Sequence, residues 1–354
     1  MRKAVAFLLL VMLGCRHDAL FRPRDYTAAP GFGSGAFHRV TYGAGSDLFP
    51  SWLPVGTGVI YAFEPSDDRF HDRCLASILP EGGTRRALPC LHHRAPDSVM
   101  HSNWPAAAAD GRLAFVGEHL PPGAFAVPDS AIIFVTDPTA PGVFQAVFRL
   151  PFVVPGVHFY HTATHLGWLS RDTLVAVGTA ATIVRDCTSC PYRPVRLGQD
   201  VVLIDLGTSP ATLTVVPGTF PASGVAAGPS GNDVYYTLAG DARVFHRVLT
   251  TGDSAVVHDF GAAGIARDAR LLGTRLVAVV GGGVSYRVDP VAGPVQDDSG
   301  GFLHVVDLQT GAESVLPDSG YRYRHPALAP AGDAVMAEGL RDGPADLWYF
   351  RIPQ

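Results

Sequence analysis

Short runs of alternating apolar residues, separated by turns rich in glycine and proline, recur along most of this 354-residue chain. The clearest unit is residues 46–63, where an apolar and aromatic entry leads through a Pro/Gly turn into the alternating run VIYAF. Proline fixes φ and glycine admits positive φ, so this turn predicts an antiparallel hairpin. Related units begin near Asn103, Gly167, Ala226, Leu271 and His325. Strand–turn–strand units spaced at roughly 40 to 60 residues indicate a radial repeat, of which the propeller blade is the four-stranded case.

Two of these units resemble a known repeat. Residues 50–56 read PSWLPVG, and residues 326–333 read PALAPAGD, with DLW following at residues 346–348. These runs resemble the TolB-type (WD40-like) β-propeller repeat, usually written P-x-W-S-P-D-G followed by an apolar strand and D-I/L-W/Y. Val55 and Ala331 stand where that repeat usually has aspartate. The resemblance implies a β-propeller fold and does not imply a particular chemistry.

The number of strands that the chain can supply predicts six blades. Their expected limits are about residues 48–89, 99–150, 164–217, 222–260, 265–317 and 322–354. The last blade has room for only three strands, and an unpaired edge would be open to association with another chain. The run AFHRVTY at residues 36–42 could supply the fourth. We therefore predict an all-β, six-bladed β-propeller, a single domain over residues 36–354, whose N-terminal strand closes the last blade.

The start of the chain predicts export and anchoring. Residues 1–14 combine two cationic residues with an apolar run of about ten residues, too short for a stable span of ~30 Å of hydrocarbon. Gly14 directly before Cys15 resembles a bacterial lipobox, which implies cleavage there and acylation of Cys15. Residues 15–35 are polar and punctuated by glycine and proline, as in a tether. We expect a membrane-anchored lipoprotein of the bacterial envelope, facing the periplasm or the cell surface. The alternative is an ordinary secretory signal.

Charge and motif content exclude several classes of function. The formal charge is −5 with no basic stripe, which argues against a nucleic-acid partner. The one lysine, Lys3, lies in the leader, so a mature chain has no lysine for Schiff-base or phosphate-loop chemistry. Nucleophile elbows, H-E-x-x-H, dinucleotide-binding and calcium-loop motifs are absent from the sequence.

Four cysteines follow Cys15, an even number that is expected to pair in an oxidising compartment. Cys74 and Cys90 lie almost symmetrically about a Gly-Gly turn, so their Cα atoms could approach disulfide distance. Cys187 and Cys190 form a C-x-x-C that lacks both the βαβ setting of a redox motif and the second ligand pair of a zinc site. A local disulfide is predicted for that pair as well.

The histidines are the residues of this sequence that most indicate a ligand site. The repeats can be aligned on Trp52, Trp104, Trp168 and Leu328. Three histidines then lie three residues earlier, with a fourth nearby: His101, His165 and His325, and His161. That position precedes the innermost strand, near the mouth of the central channel, so the imidazoles could converge on a transition metal or an anionic ligand. Any metal is expected to use the pair on blades 2 and 3, His101 and His165, helped by His161, with His325 contributing through water or to a bound anion. The alternative is that each histidine only bonds a local carbonyl.

The leading functional hypothesis is a non-enzymatic, lipid-anchored binding or scaffold module for an envelope protein or a glycan. It needs no cofactor. The alternative is a metal-dependent lyase or hydrolase that uses the histidines at the channel mouth, in analogy to other propellers. The two hypotheses differ in whether the purified protein carries stoichiometric metal.

Overall fold

A computed structural model describes residues 36–42, 45–64, 73–91, 101–119, 130–137, 139–150, 152–153, 159–184, 193–289, 293–317, 320–340 and 344–353. The predicted leader, the tether with Cys15, and the Cys187–Cys190 pair lie outside these residues. The described part is almost entirely β-structure, with two short 3-10 turns at Pro54–Gly56 and Gly261–Ala263. It contains no helix of the length and apolarity needed to cross a bilayer.

A short strand, β1 (Phe37–Arg39), precedes six antiparallel sheets that follow one another along the chain. Blade 1 contains β2 (Asp47–Trp52), β3 (Val59–Phe63), β4 (Cys74–Leu79) and β5 (Gly82–Ala87). Blade 2 contains β6 (His101–Ala107), β7 (Leu113–His119), β8 (Ser130–Asp137) and β9 (Ala140–Leu150). Blade 3 contains β10 (Phe152–Val153), β11 (Phe159–Trp168), β12 (Thr173–Val184), β13 (Arg193–Asp205) and β14 (Thr212–Val215).

Blade 4 contains β15 (Ala222–Ala227), β16 (Asp233–Leu238), β17 (Arg243–Val248) and β18 (Ser254–Asp259). Blade 5 contains β19 (Ala266–Leu272), β20 (Arg275–Val280), β23 (Phe302–Asp307) and β24 (Glu313–Val315). Between β20 and β23, the chain forms a separate hairpin of β21 (Val284–Asp289) and β22 (Gly293–Asp298). Blade 6 contains β25 (Arg322–Leu328), β26 (Ala334–Leu340), β27 (Asp346–Arg351) and the early strand β1.

The sheets are arranged as a ring. One strand of each blade, which we call its inner strand, contacts the inner strand of the next blade, and β25 of blade 6 contacts β2 of blade 1. The six inner strands that surround the axis are β2, β6, β11, β15, β19 and β25. The prediction of a six-bladed propeller is confirmed. The hydrophobic core lies between the blades: the described residues bury their apolar side chains in six clusters, one at each interface between neighbouring blades.

Side chains on alternate inner strands also bond the backbone of the preceding blade. The Trp52 indole N–H donates to the carbonyl of Ala327 at 2.9 Å. The Trp168 indole donates to Ala106 at 3.0 Å. In blade 5 the equivalent bond comes from Arg270, whose guanidinium donates to a carbonyl of blade 4 at 2.8 Å. These bonds fix neighbouring inner strands against each other near the axis.

The N-terminal strand completes blade 6, as predicted. Strand β1 pairs antiparallel with β27, with Phe37 opposite Phe350 and Arg39 opposite Trp348. Beyond the strand, Val40 is only 1% exposed and belongs to the cluster between blades 6 and 1. Its N–H donates to the carbonyl of Leu347 at 2.7 Å. The two ends of the described chain thus close the ring through backbone bonds and a buried side chain.

A disulfide joins Cys74 to Cys90, with Cα atoms 4.8 Å apart, as the symmetrical placement about the turn predicts. It connects the start of β4 to the segment after β5 and closes a loop with a sequence separation of 16. In the chain-entropy account, a loop of this length restricts the unfolded chain by about 3 kcal/mol.

Removing the closing strand tests the ring closure. Truncation through residue 35 should leave the melting temperature nearly unchanged, since β1 and Val40 remain. Truncation through residue 42 should destabilise the protein strongly, because it exposes the edge of β27 and removes Val40, whose burial alone contributes about 1.5–3 kcal/mol. Thermal unfolding of the two truncated proteins measures the difference. Equal melting temperatures would contradict the closure.

Candidate functional site

The inner strands of five blades share a β-bulge that contains a left-handed residue. Register shifts interrupt the pairing of β2, β6, β11, β19 and β25 with their neighbours. The residues with positive φ in these bulges are Phe49 (54°), Trp104 (53°), His165 (54°), Asp268 (51°) and His325 (47°). Such a conformation is uncommon for residues other than glycine and costs of order 1–3 kcal/mol when held in place. Strained backbone repeated at one position of five blades makes this position a candidate functional site.

The side chains from these bulges meet at the axis, which we call the axial cluster: Phe49, Trp104, His165, Asp268 and His325. The rings of Phe49 and Trp104 stack with centroids 4.0 Å apart. The imidazole of His165 lies 4.3 Å from the Trp104 ring, and that of His325 lies 4.7 Å from it. The two imidazoles are 5.7 Å apart although they come from blades 3 and 6, on opposite sides of the ring. The channel is therefore narrow enough at this level for residues of distant blades to touch.

Blade 4 contributes no left-handed residue to the axial cluster. Its inner strand has a smaller shift, between Ala222 and Gly224. A Cβ on Gly224 would lie only 2.9 Å from the backbone nitrogen of Asp268. The absent side chain lets blade 5 approach closely, and this allows Asp268 to reach His165 past blade 4.

One carboxylate joins the two imidazoles. The Nε2 of His165 bonds Oδ1 of Asp268 at 2.6 Å. The other oxygen of Asp268 accepts the backbone N–H of His325 at 3.2 Å and lies 3.9 Å from its Nε2. On the far side of its ring, His165 Nδ1 meets the hydroxyl of Thr164 at 3.0 Å. A neutral His165 that donates from Nε2 and accepts at Nδ1 satisfies both contacts.

A second carboxylate, Glu338 of β26, orients His325 from behind. Glu338 is fully buried. One of its oxygens accepts Nδ1–H of His325 at 2.7 Å and the backbone N–H of Phe49 at 2.6 Å. The other oxygen is paired with the guanidinium of Arg324. Burial alone would raise the pKa of Glu338, but the facing His325 and Arg324 outweigh it and lower this pKa to about 2.

Burial and the shared carboxylate set the charges at the axis. Burial lowers the pKa of His165 to about 4, although Asp268 opposes the change, so this imidazole is neutral at pH 7. Burial alone would raise the pKa of Asp268, but His325 and His165 outweigh it and hold that pKa below its usual range. The axial cluster thus presents an ionised carboxylate between two imidazoles.

A depression of about 260 Å³ opens above the axial cluster at one mouth of the channel. Phe49, Trp104 and His325 line it from the axis. Its remaining lining comes from the ends of inner strands and includes Trp52, Trp168, Arg270, Leu272 and Leu328. The lining combines aromatic and aliphatic residues with Arg270 and His325, which suits a ligand with both apolar and polar surface.

The structure places the four predicted histidines in two groups. His165 and His325 lie in the axial cluster, and their nitrogens lie within 4.8 Å of each other and of an Asp268 oxygen. His101 and His161 are not members of that group. His101 is the first residue of β6, and its Nδ1 accepts the N–H of Arg73 at 3.3 Å. His161 is buried in β11, four residues before His165.

The repeat alignment behind the histidine prediction is wrong for blade 2. The bulges show that Trp104 occupies the position of His165, whereas the sequence analysis aligns it with Trp168. Trp52 and Trp168 do match, since both indoles bond the preceding blade. The three-residue error places His101 too early to reach the axis. The grouping found is therefore blades 3, 5 and 6, and not the expected pair on blades 2 and 3.

Asp268 and Glu338 are the site residues that sequence reasoning missed. Asp268 precedes Leu271 by three residues, the same interval that separates His325 from Leu328. The same three-residue interval in the fifth unit therefore identifies Asp268 from the sequence. Glu338 lies in the second strand of its blade, within an apolar run that carries no motif.

Comparisons with known proteins show the fold and do not identify the chain. No family model matches it, and no curated protein matches its sequence. Among solved structures, it is similar to a gluconolactonase from Xanthomonas campestris, with 14% identity over 90% of this chain and 88% of that chain and a TM-score of 0.55. It is also similar to a putative TolB from Agrobacterium tumefaciens, with 12% identity over 88% of this chain and 92% of that chain and a TM-score of 0.52.

Both neighbours support the resemblance at the level of the propeller fold. One is named for an enzyme and the other for TolB, and at 12% and 14% identity the likeness does not choose between their activities. A statement about function must therefore come from the site of this chain.

The buried groups of the site predict a loss of stability in acid. Because the folded-state pKa of His165 lies below its ordinary value of 6.5, the unfolded chain takes up protons first and stability falls from about pH 6.5 downward. Protonation of Glu338 extends the loss of stability to lower pH, from its ordinary pKa of 4.5 toward its folded-state pKa of about 2. In chelator-treated protein, the His165 contribution should amount to about 2 kcal/mol between pH 7 and pH 5.

Urea unfolding at several pH values measures this dependence. The variant His165→Gln keeps a donor for Asp268 but cannot titrate, so it should flatten the decrease between pH 7 and pH 5. His246→Gln is the matched control, since His246 bonds Asp233 at 3.1 Å on blade 4, away from the axis. An unchanged pH slope in His165→Gln would show that this imidazole is not buried in the neutral form.

Proposed function

We propose that this protein is a binding module of the bacterial cell envelope and that it holds its ligand in the depression above the axial cluster. The observation that carries the proposal is the lining of that depression, in which aromatic residues, an arginine and a histidine surround one opening. The partner is an envelope protein or a glycan. A volume of about 260 Å³ suits one sugar unit or one side chain of a larger partner.

Bonds within the protein hold several side chains that line the depression. The indoles of Trp52 and Trp168 are held by bonds from their N–H groups to the neighbouring blades, and Arg112 packs over the Trp168 ring at 4.5 Å. Arg270 is held by the carbonyl of Val225. Rings and cations that are already ordered lose little conformational entropy on binding, which favours affinity.

Anchoring to a membrane is the second part of the proposal. It rests on the lipobox-like sequence before Cys15, and acylation of that cysteine with more than one chain would hold the protein stably. Residues 15–35 would act as the tether, with a root-mean-square reach of roughly 25 Å if they behave as a flexible coil. The propeller would then face the periplasm or the cell surface at a short distance from the bilayer.

A metal-dependent lyase or hydrolase is the second candidate function, because two imidazoles and a carboxylate converge beneath the depression. Binding is favoured over catalysis by the state of the two carboxylates. Asp268 accepts two bonds from within the protein, and Glu338 is occupied by His325, Phe49 and Arg324. Neither carboxylate is placed as an available general base.

A charge at the rim tests the ligand site. Leu272 lines the depression and is 37% exposed, so Leu272→Glu should fold normally. It should weaken binding to the partner at least tenfold, because the new carboxylate must be desolvated against an apolar surface. Leu79→Glu is the matched control, a leucine that is 57% exposed on β4 and does not line the depression.

A glycan array and a pull-down from solubilised envelopes form the two arms of this experiment and separate the two classes of partner. The proposal expects Leu79→Glu to bind as the unsubstituted protein does, and Leu272→Glu to lose the signal in one arm. Equal binding by both variants would place the partner site elsewhere. No specific binding by the unsubstituted protein in either arm would contradict the binding function.

Substitution of Cys15 tests the anchor separately. Cys15→Ala should yield a soluble exported form or an uncleaved precursor, because the acylated residue is gone. Membrane fractionation together with the intact mass of the mature protein distinguishes these forms. Normal membrane retention with an unchanged mature mass would refute lipidation at this residue.

A further inference from the structure

The geometry points to a divalent transition-metal site of the Zn²⁺ type, formed by His165, Asp268 and His325, of which His325 lines the depression. We propose this site on the ground of three observations: the convergence of the donor atoms, the groups that hold each donor in place, and the opening on one side. The inference goes beyond the proposed binding function and does not depend on it.

The donor atoms lie at distances that suit a shared cation. One nitrogen of each imidazole and one Asp268 oxygen lie within 4.8 Å of one another. Metal–ligand bonds of about 2.0–2.2 Å in tetrahedral geometry put neighbouring ligand atoms roughly 3.4 Å apart. The separation from His325 Nε2 to Asp268 Oδ2 is 3.9 Å, and that from His165 Nε2 to Asp268 Oδ1 is 2.6 Å. Each imidazole is thus within 1 Å of the required spacing from one of the two carboxylate oxygens of Asp268.

The separation of the two ring centroids is also compatible with a shared ion. Two imidazoles bound to one tetrahedral ion have ring centroids roughly 5 Å apart, if each ring points at the ion along its Nε2. The centroids of His165 and His325 are 5.7 Å apart. Two nitrogens and one carboxylate oxygen form a donor set that Zn²⁺ accepts readily, with other first-row divalent ions as weaker competitors.

The tautomer of His325 is set from outside the site. Glu338, whose charge is balanced by Arg324, accepts the Nδ1–H of His325 at 2.7 Å. In the neutral imidazole, Nε2 then presents a lone pair to the facing oxygen of Asp268, and 3.9 Å is too long for a hydrogen bond. Two acceptors face each other across this gap. A cation between them turns an unfavourable contact into a favourable one, and a carboxylate behind a ligating histidine is a common arrangement in metal sites.

His165 can exchange its present hydrogen bond for a metal bond without an uncompensated proton. Its proton moves by solvent exchange from Nε2 to Nδ1, where the oxygen of Thr164 accepts it. The Thr164 hydroxyl in turn donates to the carbonyl of Val177, 3.4 Å away. A hydroxyl can serve as donor and acceptor at once, so both tautomers of His165 are satisfied.

Aromatic rings border the site, and His325 connects it to the depression. The rings of Phe49 and Trp104 pack against His325 with centroids 5.0 and 4.7 Å away. Arg270, the nearby cation, is directed to the carbonyl oxygens of Val225 and Ala269. His325 lines the depression, whereas His165 and Asp268 are buried behind it, so a ligand in the depression reaches the site at His325. Three protein ligands with one open position are typical of sites that bind an exchangeable ligand, whereas structural zinc sites are closed.

Calorimetric titration of the full chain with Zn²⁺, after treatment with a chelator, tests the site. The expected result is one high-affinity equivalent that His325→Gln weakens at least a hundredfold. Glu338→Gln should weaken it about 10- to 100-fold, as loss of an outer carboxylate does in other sites. His246→Gln is the matched control, because it removes a histidine that also bonds an aspartate but lies outside the axial cluster. The affinity of His246→Gln for Zn²⁺ should equal that of the unsubstituted protein.

Absorption of Co²⁺ in place of Zn²⁺ keeps the test decisive if His325→Gln does not fold. The unsubstituted protein should develop the d–d bands of a four-coordinate, nitrogen-ligated ion that saturate at one equivalent. In Glu338→Gln the bands should remain but shift, a change that a purely structural role of Glu338 would not produce. Absence of these bands, or Zn²⁺ binding that His325→Gln leaves unchanged, would overturn the proposal.

Discussion

The bulge in the inner strands is the constraint on which the rest of this structure depends. A regular β-strand would send successive side chains alternately to its two faces, toward the neighbouring blades. A left-handed residue inside a bulge breaks that alternation and aims one side chain at the axis. Five blades carry such a residue, none of them glycine. Each left-handed residue is unfavourable by itself, so it persists because the surrounding ring determines its conformation.

The ring provides that support through its interfaces. Apolar clusters pack between every pair of neighbouring blades. The side chains of Trp52, Trp168 and Arg270 add hydrogen bonds from inner strands to the backbone of the preceding blades. The pairing of β1 with β27 gives blade 6 its fourth strand. These contacts hold an imidazole of blade 3 and one of blade 6 with their ring centroids 5.7 Å apart. The depression above them keeps its form for the same reason.

The sequence predicts the blades well because each strand–turn–strand unit is local: its alternation and its Gly/Pro turn lie within about 20 residues. Closure by the N-terminal strand follows from counting strands. The site is harder to predict, because its position within a unit depends on the exact residue at which a bulge occurs. Trp104 shows the difficulty, since an aromatic residue at the bulge of blade 2 looks like the aromatic residue that follows the bulge in blade 3. Glu338 lies in another strand and reaches the axis only through three-dimensional packing.

A double-mutant cycle between His165 and Asp268 tests most directly whether distant blades converge at the axis. The two residues belong to blades 3 and 5, which are not neighbours, so they can interact only across the narrowed channel. The free energy of unfolding is measured for the unsubstituted protein, for His165→Gln, for Asp268→Asn and for the double variant, all after treatment with a chelator. A coupling energy of about 1 kcal/mol or more supports the axial cluster. Additivity within about 0.5 kcal/mol would mean that the two side chains do not meet.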